Sequence, residues 1–143
     1  MPATGSPLPD IAAIRQGIAD NISAAITGFQ VSAYVLANPT PPCIYVMPGE
    51  TEYDIAMGNG ADRLNFIIRI MVPANGDIAQ QRMLDLMCAS TGAQSVKAAV
   101  EADDSLGGSV ADCQVNSCSA PTLYVPDNGP PMFGADLALE VIT

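Results

Sequence analysis

The side chains able to do chemistry in this 143-residue chain are few. There is one lysine, Lys97, four cysteines at positions 43, 88, 113 and 118, and no histidine. Without an imidazole there is no Ser-His-Asp or Cys-His pairing, no histidine metal ligand and no ordinary titration near neutral pH. The cysteines form no CxxC pair, which with the missing histidine argues against a zinc site. If Cys113 and Cys118 share one extended strand, their Cα atoms stand about 17 Å apart at about 3.3 Å per residue, beyond disulfide reach of about 7 Å. They are read as buried or half-buried thiols of a protein made in a reducing cytoplasm. Asp103, Asp104 and Asp112 are the one acidic cluster, read as a solvated helix end and loop. "LGGS", from Leu106 to Ser109, lacks the lysine and spacing of a phosphate-binding loop. These residues predict no enzyme, no cofactor and no metal.

The elements that would position these side chains are clearer. "PDIAAIRQGIADNISAAITG" has a helix start at Asp10 after Pro9, a stop at Gly28, and an apolar stripe of Ile11, Ile14, Ile18, Ile22 and Ile26. "QVSAYVLA" and "CIYVMP" read as strands separated by "NPTPP". "GETEYDIAM" reads as a half-wet strand or arm, and "GNGAD" as a tight turn into "NFIIRIMV". In that strand Leu64, Phe66, Ile68, Ile70 and Val72 line one face, and Arg63, Asn65, Ile67, Arg69 and Met71 the other. A second helix follows Asp77, with Ile78, Met83, Leu86 and Met87 on one face. A third begins near Ser90, with Val96 and Val100 inward and Lys97 and Glu101 paired outward. "SVADCQV" and "MFGADLALEVI" are the closing strands, and "TLYV" between them could extend the first; in the last strand Leu137, Leu139 and Val141 face one way and Asp136, Ala138, Glu140 and Ile142 the other. The order α-β-β-β-α-α-β-β predicts one α+β domain over 1–143, with a mixed or mostly antiparallel sheet, helices on one face and residues 1–9 as a flexible leader. The core should join Leu64, Phe66, Ile68 and Ile70 to Ile14, Ile18, Ile22, Leu86 and Met87.

Fifteen Asp and Glu against five Lys and Arg give a net charge of −10. That excludes ordinary phosphate-backbone binding. Residues 21–49 carry no charge, but Gly28 and Pro39, Pro41, Pro42 and Pro48 cut them into pieces too short to span a bilayer. No signal peptide is visible in "MPATGSPLPD". The mixed face of "NFIIRIMV" remains to be explained: a solvated face reads more polar, and a face under the chain's own helices seldom holds two arginines. Ile67, Arg69 and Met71 are therefore candidates for a subunit interface, with Arg69 meeting an acidic neighbour.

The element order, and above all "AQSVKAAVEADDSLGGSVADCQV" from Ala93 to Val115, resembles the tail terminator proteins of long-tailed bacteriophages, most of all those of actinobacterial phages, over about Asp10 to Ile142. The resemblance implies a non-enzymatic virion protein at the tail-neck junction, assembled in the host cytoplasm. It implies a self-assembled ring, six-membered in that family, that ends growth of the tail tube. Its partners would be its own copies, the tail tube protein and the head-tail connector protein, with DNA passing through the lumen unheld and no membrane involved. Glu50, Glu52 and Asp54 are candidate lumen or rim carboxylates, since "GETEYDIAM" has little reason to be acidic for folding. Another neck component, a tube subunit or a small cytosolic enzyme are the alternatives.

Overall fold

The computed structural model describes residues 11–37, 42–53, 61–74, 78–103, 105–106, 110–125, 127 and 129–143. The chain forms α1 (Ile11–Ala25), β1 (Gln30–Ser32), β2 (Cys43–Glu52), β3 (Arg63–Pro73), α2 (Ile78–Cys88), α3 (Val96–Glu101), β4 (Asp112–Cys118), β5 (Thr122–Tyr124) and β6 (Met132–Ile142). This is an α+β domain built on one six-stranded mixed sheet of order β1-β2-β3-β6-β4, with β5 also paired to β6. β1 runs parallel to β2, and every other pairing is antiparallel.

The centre of the sheet is β3 against β6, paired without interruption from Arg63↔Ile142 to Pro73↔Met132. Period-2 alternation makes one face of this pair a wall of Leu64, Phe66, Ile68, Ile70, Leu137, Leu139 and Val141, all buried. The helices lie on that wall. Ile14, Ile18, Ile22 and Ile26 join it from α1 and its end, Leu84 and Met87 from α2, and Val96, Ala99 and Val100 from α3. α1 is followed by Gly28, whose φ of +84° lets the chain reverse after the helix where a side chain would be strained. Ser95 caps α3, its hydroxyl accepting a hydrogen bond from the Ala98 N–H at 3.1 Å.

Four expectations change. β1 is three residues long, and just after it the Ala33 carbonyl accepts a hydrogen bond from Arg15 of α1. "TLYV" contributes a separate strand, β5, and does not extend β4. α3 begins at Val96, six residues after Ser90, since Ser95 is the residue that caps it. In α2, Leu86 and Ile78 are exposed and Leu84 is buried in their place. At 100° per residue the buried arc runs through Met83, Leu84, Met87 and Cys88, and Leu86 points roughly 130° away from its middle. Ile11 is likewise exposed at the first turn of α1. The starts proposed at Asp10 and Asp77, the turn at Asn59–Gly60 and the leader lie outside the described residues.

Candidate assembly surface

Among the described residues no helix lies on the second face of the sheet. Cross-strand partners share a face, so the register orders it into rows. One end is the row Cys43–Met71–Gly134, beside Pro73–Met132. Cys43, Tyr45, Met71 and Met132 form a small buried cluster there, covered by Leu36, Met47 and Tyr124. The Tyr124 ring packs against Gly134, where an added Cβ would stand 2.7 Å from Cε2. A glycine in β6 is what lets β5 close over this end.

The next row is Tyr45–Arg69–Asp136. Arg69 forms a two-pronged ion pair with Asp136, Nε to Oδ1 at 2.8 Å and Nη2 to Oδ2 at 2.9 Å, and its guanidinium stands 5.5 Å from the Tyr124 ring centre. The hydrogen bonds to Asp136 raise the Arg69 pKa above its ordinary value, against an opposing effect of partial burial. At the far end Arg63 bridges Glu140 at 3.1 Å and Glu52 at 3.3 Å, and Asn116 donates to Glu140. Between the two ion-paired zones runs Met47–Ile67–Ala138–Ser117. Met47 and Ile67 are half-buried, Ala138 and Ser117 exposed. The surface is thus an open apolar strip between two belts of paired charge.

The three interface candidates separate on this surface. Ile67 sits at the centre of the open strip. Met71 is 3% exposed and covered by its own chain. Arg69 does meet an acidic neighbour, but that neighbour is Asp136 of the same chain, which β6 supplies in direct register. Sequence reading placed Asp136 on the outward face of its strand without knowing that β3 and β6 adjoin. Of the acidic candidates, Glu52 is engaged with Arg63, Glu50 is exposed and its carbonyl accepts from Asn65, and Asp54 lies outside the described residues.

Arg15 was missed. It is 91% buried on α1 by its 9% exposure, donating from Nη1 to the carbonyls of Ala33 at 3.0 Å and Val46 at 3.2 Å. It also stands over Tyr34 at 4.8 Å and Phe66 at 5.8 Å. Its position beside Ile14 and four before Ala19, on the flank of the isoleucine stripe, was the available signal. It fastens the turn after β1 to the helix. Lys97 and Glu101 pair at 2.6 Å and together occupy the outer edge of β4: Lys97 donates to the Val115 carbonyl, and the Val115 N–H donates to Glu101. That seals part of an edge otherwise open to strand pairing. The Asp103 carboxylate accepts from the N–H and hydroxyl of Ser105, closing a turn, and Asp112 is exposed at the start of β4. A groove of about 380 Å³ between α1 and that turn is lined by Gln16, Asp20, Asn21 and Asp103, and the Asn21 amide is spent on the carbonyls of Val100 and Asp103. Among the described residues no three His, Cys, Asp or Glu side chains are grouped to hold a metal ion, and no helix is long and apolar enough to cross a membrane.

Fold and surface together define an α+β domain with one helix-packed sheet face and one face left to its own ion pairs and an apolar strip. No family model matches the chain, and no curated protein matches it. Among solved structures it is similar to a chain in "Virion of native gene transfer agent (GTA) particle", at 14% identity over 92% of each chain with a TM-score of 0.38. A likeness of that size carries neither fold nor role across.

Proposed function

We propose that this chain is a structural virion protein, a tail terminator of a long-tailed phage, whose copies close into a ring of six on the end of the tail tube. The ring ends tube polymerisation and presents the surface to which the head-tail connector joins. The observation that carries the reading is the open strip Met47–Ile67–Ala138, which no helix among the described residues covers and which has paired charges on both flanks. A ring requires one patch of each subunit to meet a different patch of the next, and an apolar centre with a polar rim is the usual anatomy of such a contact. The resemblance in element order supplies the ring and its place in the tail.

Ile67→Glu tests this. Ile67 is half-exposed in the single chain, so the variant should melt close to the wild type yet remain monomeric where the wild type assembles. Wild-type assembly by the variant would remove the strip from the interface. Another neck component or a tube subunit would use the same open face; long tubes in place of capped rings would identify the latter.

Six copies at −10 each carry −60, and a lumen of that sign lets DNA slide without being held. We assign Glu50, Glu52 and Asp54 to the lumen or rim. Reversing all three to lysine should slow genome ejection, more so at low salt, where the Debye length is longer. Ejection at the normal rate in low salt would take them out of the channel.

A further inference from the structure

α2 carries apolar residues on two sides. Leu84 and Met87 are buried on the wall, whereas Ile78 and Leu86 are 66% and 55% exposed, which leaves more than half of two large apolar side chains in water. Ile78, Arg82 and Leu86 follow one another at intervals of four, so they form one ridge about 12 Å long that turns through only about 80° around the helix. The ridge reads apolar, cationic, apolar, with about 6 Å between neighbours. Arg82, at its middle, differs from the other four basic residues. Arg63, Arg69 and Lys97 are held in ion pairs, and Arg15 is buried on carbonyls. Arg82 is exposed and, among the described residues, forms no ion pair, even with Asp85 three positions on.

The open face of the sheet offers the converse. Along β6 the outward residues from the strip to the strand end are Ala138, Glu140 and Ile142, about 7 Å apart, and they read apolar, acidic, apolar. Ala138 is exposed, and Glu140 and Ile142 are half-buried. The row of Ile142 continues to Arg63 and Glu52 on one side and to Asp112, which is exposed, on the other. The carboxylates of Glu52, Glu140 and Asp112 thus stand in two neighbouring rows with Arg63 as their one cation, a local excess of negative charge. Glu140 accepts one hydrogen bond on each oxygen, from Arg63 and from Asn116, and each oxygen keeps a lone pair for another donor.

We propose that the ridge Ile78–Arg82–Leu86 of one copy docks on the column Ala138–Glu140–Ile142 of the next. This rests on the reading of the open face as an assembly surface and names the patch that fills it. Arg82 meets Glu140, while Ile78 and Leu86 cover the apolar residues on either side of it. Spacings of about 6 Å on the helix and about 7 Å on the strand allow the three contacts at once. α2 packs on the wall with its ridge turned away from the sheet, so ridge and column lie on opposite sides of the domain. A second copy is the occupant that fits, because its surface supplies apolar, acidic and apolar groups in the order the ridge requires. Two different patches in contact join copies head to tail, the kind of contact from which rings are built.

The test mixes two variants. Arg82→Glu spoils the ridge and leaves the strip intact; Ile67→Glu spoils the strip and leaves the ridge intact. Arg82 is exposed and Ile67 half-buried outside the main core, so each variant should melt close to the wild type; Leu86→Glu and Ala138→Glu, at exposed positions, replace either one that does not. Sedimentation should find each variant monomeric where the wild type assembles, with the concentration needed for assembly raised about 30-fold or more, as for a broken interfacial charge pair. Mixed in equal amounts they should form heterodimers and nothing larger, since the intact ridge of one can dock on the intact strip of the other and no further docking follows. Wild-type assembly by Arg82→Glu with Ile67→Glu monomeric would overturn the ridge as partner and leave the strip standing. A mixture that stays monomeric would mean that the strip meets something other than the ridge, which also overturns the proposal. Wild-type assembly by Ile67→Glu, or a wild type that never assembles, would remove the strip and this pairing together.

Discussion

The Arg69–Asp136 pair accounts for an arginine in the middle of a sheet, and its strength can be measured by a double-mutant cycle of Arg69→Met, Asp136→Asn and both together. Opposite charges about 4 Å apart attract by about 4 kcal/mol at an effective dielectric of about 20. Both side chains keep about a quarter of their exposure, 25% and 27%, so solvent screening and desolvation remove much of that. Exposed pairs retain only about 0.2–1 kcal/mol. The two-pronged geometry at 2.8 and 2.9 Å lies above that class. A coupling energy of about 1–2 kcal/mol is expected in urea denaturation. Arg69→Met alone should cost more than the coupling, because it also loses the Tyr124 ring contact. Arg69→Glu sets a carboxylate against Asp136 and should unsettle the fold itself, so a loss of assembly in that variant reports on the monomer and not on an interface. A coupling below about 0.3 kcal/mol would mean that register, and not the ion pair, is what holds Arg69 in place.

Three further outcomes follow from the packing. Ile68, fully buried at the centre of β3, should cost roughly 2–5 kcal/mol as Ile68→Ala, and an unchanged denaturation midpoint would put the wall elsewhere. Deleting residues 137–143 removes Leu137, Leu139 and Val141 from the strand that pairs with β3, β4 and β5; the product should not fold, and a cooperatively melting truncation would make β6 a docking arm. The Cys88 thiol is raised from 9.0 to about 12 in the folded state by burial and by Cys118. A raised pKa favours the protonated form in the folded chain, so its contribution is complete below pH 9 and is lost as pH rises towards 12. Stability should decline over that window, and Cys88→Ala should flatten the decline; equal slopes would leave Cys88 out of it.

Long elements with a strong period were legible in the sequence. β3 and β6 were found with their faces, because alternation over eleven residues leaves one assignment of inward side chains. Four of the five isoleucines in the stripe along α1 and just past its end, Ile14, Ile18, Ile22 and Ile26, are buried for the same reason. What was lost depended on contacts far apart in sequence. Leu86 and Leu84 are chemically equivalent, and only the orientation of α2 on the wall selects between them. Asp136 as the partner of Arg69 needed the pairing of β3 with β6 across 67 positions. The bulge at Asn116, which returns Cys118 to the wall side of the sheet, was hidden because "QVNSC" carries no glycine to announce one. Arg15 was passed over because arginine beside an apolar stripe ordinarily reaches solvent; the carbonyls and rings that hold it come from β2, β3 and the turn after β1.

The central claim, a closed ring built through the open strip of the sheet, is tested most directly by electron microscopy of the purified protein over a range of concentrations, with tail tubes present and absent. Closed rings of six 14.7 kDa subunits, free or seated singly on tube ends, are the predicted image. Monomers at every concentration that leave tube ends bare, or copies that stack into tubes of their own, would contradict it.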